Sequence, residues 1–135
     1  MLVDTDVLID VALDRKPHPK AACDLLDRLE RHPNSAFIAW HTASNFYYLV
    51  ASKRGTADTR RFLSELLGYV GVAPVDTAML RYATTLPMSD FEDAMQVAAA
   101  RACNACHIVT RNLSDYRLSP IPAISPQEAV SDLLL

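Results

Sequence analysis

Acidic and amide side chains follow the predicted strands of this 135-residue chain at positions where they can act together. Asp4 and Asp6 come directly after the first predicted strand, and Asn112 and Asp115 come after the fourth. Asp93 lies in the helix leading to that fourth strand, on the side expected to face the sheet, where a lone carboxylate is costly without a cation. Because ligands bind beyond the carboxyl ends of parallel strands, we expect these side chains to converge. Carboxylates without Cys or His suit Mg²⁺ or Mn²⁺, and such an ion promotes phosphodiester hydrolysis.

Other acidic residues have a structural explanation. The segment Ser89-Asp90-Phe91-Glu92 fits a capping box, in which the serine hydroxyl and the glutamate satisfy the first free amides of a helix. We therefore predict that Asp90 and Glu92 only cap this helix, since its first turn favours negative charge. Asp10 and Asp14 have the spacing of a solvated helix face, and we predict that they lie on one.

Short apolar segments alternate with longer segments of helical periodicity, which is typical of a parallel sheet covered by helices on both faces. Pro120 and Pro122 bracket the last strand, which places it at a sheet edge. In Ser125-Pro126-Gln127-Glu128, proline at the first helical position marks the start of the last helix. The predicted strands are Met1–Asp4, Ala36–Ala39, Val72–Val75, His107–Thr110 and Ile121–Ile124. The predicted helices are Val7–Leu13, Lys20–Arg31, Thr42–Lys53, Thr59–Tyr69, Thr77–Ala83, Phe91–Cys103 and Pro126–Leu133.

Composition narrows the class of function. The chain has 13 Lys and Arg against 16 Asp and Glu, a formal net charge of −3, so any contact with nucleic acid must be local. It has three glycines and no glycine-rich phosphate loop, which argues against nucleotide-binding folds. Without an apolar run of membrane-spanning length or a signal-like start, we expect a cytoplasmic protein with reduced cysteines and no membrane partner. A hydrophobic content of 50% predicts a single domain over residues 1–135.

Four sequence blocks, in their order and spacing, resemble a known family. The blocks are Leu2-Val3-Asp4-Thr5-Asp6-Val7-Leu8-Ile9-Asp10, Trp40-His41-Thr42-Ala43-Ser44-Asn45-Phe46-Tyr47-Tyr48-Leu49, Asp90-Phe91-Glu92-Asp93-Ala94-Met95-Gln96 and Val109-Thr110-Arg111-Asn112-Leu113-Ser114-Asp115-Tyr116. Together they span nearly the whole chain and resemble the PIN domain, named after the PilT N-terminus, and in particular bacterial PIN proteins related to VapC-type toxins. The resemblance implies a three-layer, Rossmann-like α/β fold. It also implies an Mg²⁺- or Mn²⁺-dependent ribonuclease that cuts RNA as the toxin of a toxin–antitoxin pair, binds a cognate antitoxin and forms a homodimer.

The resemblance also assigns the site residues. Asp4 matches the first metal-binding acid of the family, Asp93 matches the third, and Asp115 matches the last, with Asn112 supporting it. These matches imply that the four residues are catalytic and that the three aspartates bind the metal.

One position departs from the family pattern. The family usually has Glu in the helix after the second strand, where this chain has Asn45. An asparagine coordinates through its amide oxygen but supplies neither charge nor a base, so metal binding is predicted to weaken. We hypothesise that Asp6 restores the missing charge. If it does not, the chain is a catalytically weakened PIN-fold binding module that acts through dimer or partner contacts.

Two further motifs suggest other classes of protein. Asp4-Thr5-Asp6-Val7 fits the opening of haloacid-dehalogenase-like phosphatases, but those enzymes also need a Lys in the second half, and every Lys here precedes Arg54. Cys103-Asn104-Ala105-Cys106-His107 spells a C-x-x-C-H haem motif, yet no export signal is present and a redox C-x-x-C begins a helix instead of ending one. We predict that these cysteines, like Cys23, are buried core residues.

Contacts with RNA have several candidate residues. Lys53-Arg54 and Arg60-Arg61 flank Gly55 in the densest basic cluster, which either contacts RNA or is a solvated loop. Trp40-His41, next to the end of the second strand, is a second candidate. Arg111 lies beside the acids and either pairs with one of them or reaches a phosphate.

Overall fold

The structure, a computed structural model, describes residues 1–16 and 19–133. Its strands form one parallel sheet in the order β3-β2-β1-β4-β5. They are β1 (Leu2–Val3), β2 (Phe37–Ile38), β3 (Gly71–Val72), β4 (Ile108–Val109) and β5 (Ala123–Ile124). The predicted α/β fold and each predicted strand are confirmed. The strand after Pro120 and Pro122 lies at a sheet edge, where a proline removes no inner hydrogen bond.

Helices cover both faces of this sheet. They are α1 (Thr5–Ala12), α2 (Pro19–Arg31), α3 (Trp40–Arg54), α4 (Thr56–Leu66), α5 (Thr77–Thr84), α6 (Phe91–Ala102) and α7 (Pro126–Glu128), which continues in a π-helical turn (Ala129–Leu133). A 3-10 turn (Leu113–Tyr116) follows β4. Successive strand residues point to opposite faces, so Val3 and Val109 pack with α1 to α4, whereas Leu2 and Ile108 pack with α6. The result is the predicted three-layer arrangement. No helix within the described residues is long and apolar enough to cross a membrane.

Helix caps explain two of the helix starts. The predicted capping box at Ser125 is present, with the Ser125 hydroxyl accepting from the Glu128 N–H at 3.2 Å and the Glu128 carboxylate accepting from the Ser125 N–H at 2.7 Å. The predicted box at Ser89 is wrong. Asp90 caps α6 instead, because its carboxylate accepts from the Glu92 N–H at 2.8 Å and satisfies the amides that the serine was expected to bind.

Two other predictions of exposure and burial are wrong. Asp10 is 1% exposed instead of solvated, because it faces inward and pairs with a side chain that follows β4. Asp14 is exposed but lies in the turn after α1, with φ of 50°, and not on a helix face. Cys23 and Cys103 are half-buried, and Cys106 is exposed beyond the end of α6, so it is not a core residue. All three are free thiols.

Candidate active site

A cavity of about 440 Å³ opens at the carboxyl ends of the central strands. We call it the acid cavity. Five separate stretches of chain contribute to its wall: the start of α1, the turn after α1, the middle of α3, the start of α6 and the turn after β4. All six polar residues predicted for the metal site line it, namely Asp4, Asp6, Asn45, Asp93, Asn112 and Asp115. The fold therefore brings together side chains that lie far apart in the sequence.

Asp4 is held at the floor of the acid cavity. It is the N-cap of α1 and only 5% exposed. Its Oδ1 accepts from the Thr5 N–H at 2.7 Å and its Oδ2 accepts from the Tyr116 hydroxyl at 2.8 Å. Burial, together with the nearby charge of Asp6, raises the pKa of Asp4 to about 8. Both carboxylate oxygens are thus fixed, yet the group is poorly stabilised as an anion.

Asp6 has one satisfied and one unsatisfied oxygen. Its Oδ2 accepts from the Thr110 hydroxyl and from the Asn112 side-chain amide, each at 2.9 Å. Within the described residues, its buried Oδ1 has no hydrogen-bond partner. Burial raises the pKa of this carboxyl group as well. The side chain of Asn112 thus supports Asp6, while its backbone carbonyl accepts from the Asp115 N–H at 3.1 Å.

Asp93 lies in the first turn of α6 beside two more acids. Over residues 1–16 and 19–133, Asp90, Glu92 and Asp93 form the set of three whose ligand atoms all lie within 4.8 Å of one another. Asp4, Asp93 and Asp115 share the acid cavity without being that close. Burial, followed by the charges of Asp90 and Glu92, raises the pKa of Asp93 to about 7.

Glu92 is the site residue that sequence reasoning missed. It lines the acid cavity, and its Oε1 accepts from the His41 Nε2 and from the Gln96 Nε2, each at 3.0 Å. Burial opposes ionisation, but these hydrogen bonds from His41 and Gln96 lower the pKa of Glu92 below its usual value. Its spacing to Gln96, one helical turn later, was the available signal that it does more than cap the helix.

A buried hydrogen-bond network supports this wall of the cavity. The Gln96 Nε2 lies 3.2 Å from the Thr5 hydroxyl and 3.0 Å from the Thr42 hydroxyl, and the two hydroxyls are 2.9 Å apart. Gln96 and Thr42 are fully buried. The network joins α1, α3 and α6 and orients the Glu92 side chain through Gln96.

The other residues predicted to contact RNA or metal differ in whether they line the acid cavity. Arg111 pairs with an acid outside the cavity lining, because its Nε donates to the Asp10 Oδ2 at 2.7 Å. Its charge also opposes the rise in the pKa of Asp6. His41 is engaged with Glu92, as described. Lys53 and Arg54 line a neighbouring cavity at the end of α3. Asn45 and Asp115 are exposed on the wall of the acid cavity.

The donor atoms of this cavity fit a hard divalent cation such as Mg²⁺ or Mn²⁺. They are all oxygens, which these ions prefer. Several carboxylates are crowded together with raised pKa values, and one buried oxygen of Asp6 has no partner within the described residues. A cation among them would remove both the repulsion and the unsatisfied acceptor.

Comparison with known proteins gives the family. A family model described as the PIN domain matches residues 1–114. The chain therefore belongs to the PIN domain family, whose members are generally nucleases and typically use divalent metal ions. This membership displaces the phosphatase alternative. No curated protein matches the chain.

Two solved structures share the fold. One is VapBC2 from Rickettsia felis bound to a DNA fragment from their promoter, with a TM-score of 0.71 and 17% identity over 92% of this chain and 96% of that chain. The other is FitAB bound to an IR36 DNA fragment, with a TM-score of 0.65 and 18% identity over 93% of this chain and 94% of that chain. At these identities the similarity establishes the fold alone.

Proposed function

We propose that this chain is a metal-dependent endoribonuclease that hydrolyses RNA phosphodiester bonds as the toxin of a toxin–antitoxin pair. The observation that carries the proposal is the convergence of five carboxylates on one cavity of a PIN-family fold. They belong to Asp4, Asp6, Glu92, Asp93 and Asp115. Five acids on one cavity, with raised pKa values at Asp4, Asp6 and Asp93, are consistent with a site built for Mg²⁺ or Mn²⁺.

The proposed metal ligands are Asp4, Asp93 and Asp115, with Asp6 as a further ligand. We assign to Glu92 the negative charge that Asn45 does not supply. Glu92 lies on the same cavity, and its hydrogen bonds to His41 and Gln96 favour its ionised form. In this proposal the cavity keeps the same number of negative charges, because α6 supplies the carboxylate that α3 lacks.

The residues that hydrogen-bond to the proposed metal ligands have a definable part in this proposal. When bound, a divalent ion supplies Lewis-acid activation of the phosphodiester and of a water molecule. The Thr5 amide and the Tyr116 hydroxyl orient Asp4, while Thr110 and Asn112 orient Asp6. Such partners of ligating carboxylates keep a site in register, and their loss weakens metal binding.

The proposed partners follow from the structural neighbours. The VapBC2 and FitAB structures are toxin–antitoxin complexes on DNA, which supports a cognate antitoxin for this chain. The RNA substrate, the homodimer and the cytoplasmic location stay predictions, as does the single domain over residues 1–135.

A second candidate function is the PIN-fold binding module without catalysis. The observation in its favour is Asn45, which lies on the wall of the acid cavity where the family usually has a carboxylate. Weak or absent metal binding in a folded protein would favour this candidate.

Calorimetric titration with Mn²⁺, followed by cleavage of a structured RNA, tests the proposal. We expect the wild type to bind Mn²⁺ and cleave, and Asp4→Asn to lose both. Asp58→Asn is the control, since Asp58 is an exposed acid on α4 that pairs with Arg61 away from the cavity. A folded wild type that neither binds Mn²⁺ nor cleaves RNA would overturn the proposal in favour of the binding module.

A further inference from the structure

Two further cavities adjoin the acid cavity, and each shares one lining residue with it. Arg15 lines both the acid cavity and a cavity of about 470 Å³ between the ends of α1 and α3. Asp115 lines both the acid cavity and a cavity of about 240 Å³ beside the 3-10 turn. The two cavities adjoin the acid cavity at different residues, and we call the three together the groove, with the carboxylates lining its central part.

Both ends of this groove carry cations. Arg15, Lys53 and Arg54 line the first end, and Arg117 lines the other. Within residues 1–16 and 19–133, the side chains of Arg15, Lys53 and Arg117 form no ion pair or hydrogen bond, unlike the paired Arg61. In a chain of net charge −3, cations without partners on either side of an acidic centre are a specific local feature.

Hydrogen bonds hold the backbone that carries the cations at the first end. Asp14, with φ of 50°, ends α1 in the left-handed conformation, and the Arg15 N–H donates to the Asp10 carbonyl at 3.0 Å. This pairing is the usual helix-terminating motif. The Arg54 Nη1 donates to the Ala12 carbonyl at 2.7 Å, which ties the end of α3 to the end of α1.

An exposed aromatic side chain lines the acid cavity together with Arg15. Tyr48 is on the wall of the acid cavity and is 75% exposed. Its ring makes a T-shaped contact with the ring of Tyr47, with 5.6 Å between the two centroids. Exposed rings beside a cationic groove are the stacking platforms of proteins that bind single-stranded nucleic acid.

We propose that this groove binds a single-stranded RNA segment across the acid cavity, with phosphates held by Arg15, Lys53 and Arg54 on one side and by Arg117 on the other. Tyr48 stacks on an unpaired base between them. A polyanion needs these cations, because the carboxylates at the centre repel it. A stacking ring favours a single strand over a duplex, whose bases are already stacked. The position of the cleaved bond in this groove rests on the proposed function.

Fluorescence anisotropy with a short labelled oligouridylate tests the groove. Ca²⁺ replaces Mg²⁺ in the titration, and a gel checks that the strand stays intact. We expect Arg15→Ala, Lys53→Ala and Arg117→Ala each to weaken binding severalfold and to lower the slope of log affinity against log salt by about 0.7. Arg81→Ala is the matched control, because it removes the same charge from α5 in the opposite helical layer.

The stacking contact has its own matched pair of variants. Tyr48→Ala should weaken binding roughly tenfold, whereas Tyr48→Phe, which keeps the ring, should bind as the wild type does. The groove proposal is overturned if the three charge variants behave like Arg81→Ala. It is also overturned if a duplex of the same length binds as tightly as the single strand with no effect of Tyr48→Ala, since that result indicates a general polyanion surface.

Failure of the groove and failure of the proposed function give different results. If the wild type cleaves RNA with Mn²⁺ but its affinity is indifferent to Arg15, Lys53 and Arg117, the groove is wrong and the nuclease stands. If the wild type neither binds Mn²⁺ nor cleaves but its RNA affinity depends on those cations, the groove stands and the nuclease is wrong.

Discussion

Two buried carboxylates at opposite ends of α1 have opposite environments. Asp10 is 1% exposed and forms a salt bridge with the Arg111 guanidinium at 2.7 Å. Asp4 is 5% exposed and accepts from the Thr5 amide and the Tyr116 hydroxyl, and within the described residues it forms no salt bridge. Burial and a second acid raise the pKa of Asp4 to about 8. The chain therefore provides one carboxylate with a cation and leaves the other without one.

This difference shows what separates a structural acid from a site acid. Arg111 follows β4, within a few residues of the acids of the cavity, yet it turns to Asp10. A buried carboxylate that stabilises a fold needs its counter-charge in the protein itself. A buried carboxylate that binds an external cation keeps hydrogen bonds that orient it and lacks that counter-charge. By this criterion Asp4 belongs to the site, and Asp10 belongs to the core.

Arg111→Met should have the largest effect, because it leaves the buried Asp10 carboxylate unpaired. We expect the free energy of unfolding at neutral pH, measured with urea, to fall by roughly 3–5 kcal/mol. Arg61→Met is the control, since it breaks an exposed pair with Asp58 and should cost less than about 1 kcal/mol. The double variant Arg111→Met/Asp10→Leu should recover most of the loss. Equal losses in Arg111→Met and Arg61→Met would contradict the structural role of the Asp10 pair.

The pH dependence of stability should separate Asp4 from exposed acids in the chelator-treated protein. The pKa of Asp4 is raised from 3.8 to about 8, so the folded state holds a proton that the unfolded state releases. The free energy of unfolding therefore falls as pH rises through this interval, by at most about 1.4 kcal/mol per pH unit for one group. Urea unfolding from pH 5.5 to 8.5 should show this decline in the wild type and a flatter profile in Asp4→Asn.

Two controls sharpen that measurement. Asp58→Asn, at an exposed pair, should follow the wild-type profile. Mn²⁺ added at the alkaline end should restore stability to the wild type but not to Asp4→Asn, because only a folded state that binds the ion gains from it. Parallel profiles for wild type and Asp4→Asn would show that Asp4 carries no such penalty.

The sequence predicted what depends on local pattern. Each strand is a short apolar segment, and the acids that follow strands reach one edge of the sheet because parallel topology requires it. Asp4 and Asp115 were found in this way, and Asp93 was found from its place on the sheet-facing side of the predicted helix that precedes the fourth strand. Of the strand order, the sequence predicted only that the last strand lies at an edge of the sheet, because Pro120 and Pro122 exclude an inner position.

The sequence could not predict what depends on a distant partner or on one residue of register. Asp10 has the spacing of a solvated helix face, and its burial depends on Arg111, which is 101 residues away. Glu92 was taken for part of a capping box because Ser89 and Asp90 are both good caps. The helix begins after Asp90, and Glu92 then faces His41 and Gln96 instead of the helix terminus.

Glu92→Gln should have an intermediate effect, on metal affinity more than on stability. The glutamine keeps the shape and a hydrogen-bonding oxygen for His41 but removes the charge that faces the acid cavity. We expect the Kd for Mn²⁺, measured by calorimetry, to rise roughly tenfold. Glu30→Gln, an exposed acid of α2, is the control and should leave the Kd unchanged. An unchanged Kd in Glu92→Gln would contradict the role of Glu92 and favour the hypothesis that Asp6 supplies the charge that Asn45 lacks.

Asn45→Glu should have the smallest effect on stability, because Asn45 is exposed and the added charge is solvated. We expect the free energy of unfolding of the metal-free protein to change by less than about 0.5 kcal/mol. The informative measurement is the double-mutant cycle with Glu92→Gln, read by Mn²⁺ calorimetry. If Glu92 supplies the charge that Asn45 lacks, Asn45→Glu should tighten binding more strongly in the Glu92→Gln background than in the wild type. Equal gains in both backgrounds would mean that the two positions act on the ion independently, and that Glu92 does not compensate for Asn45.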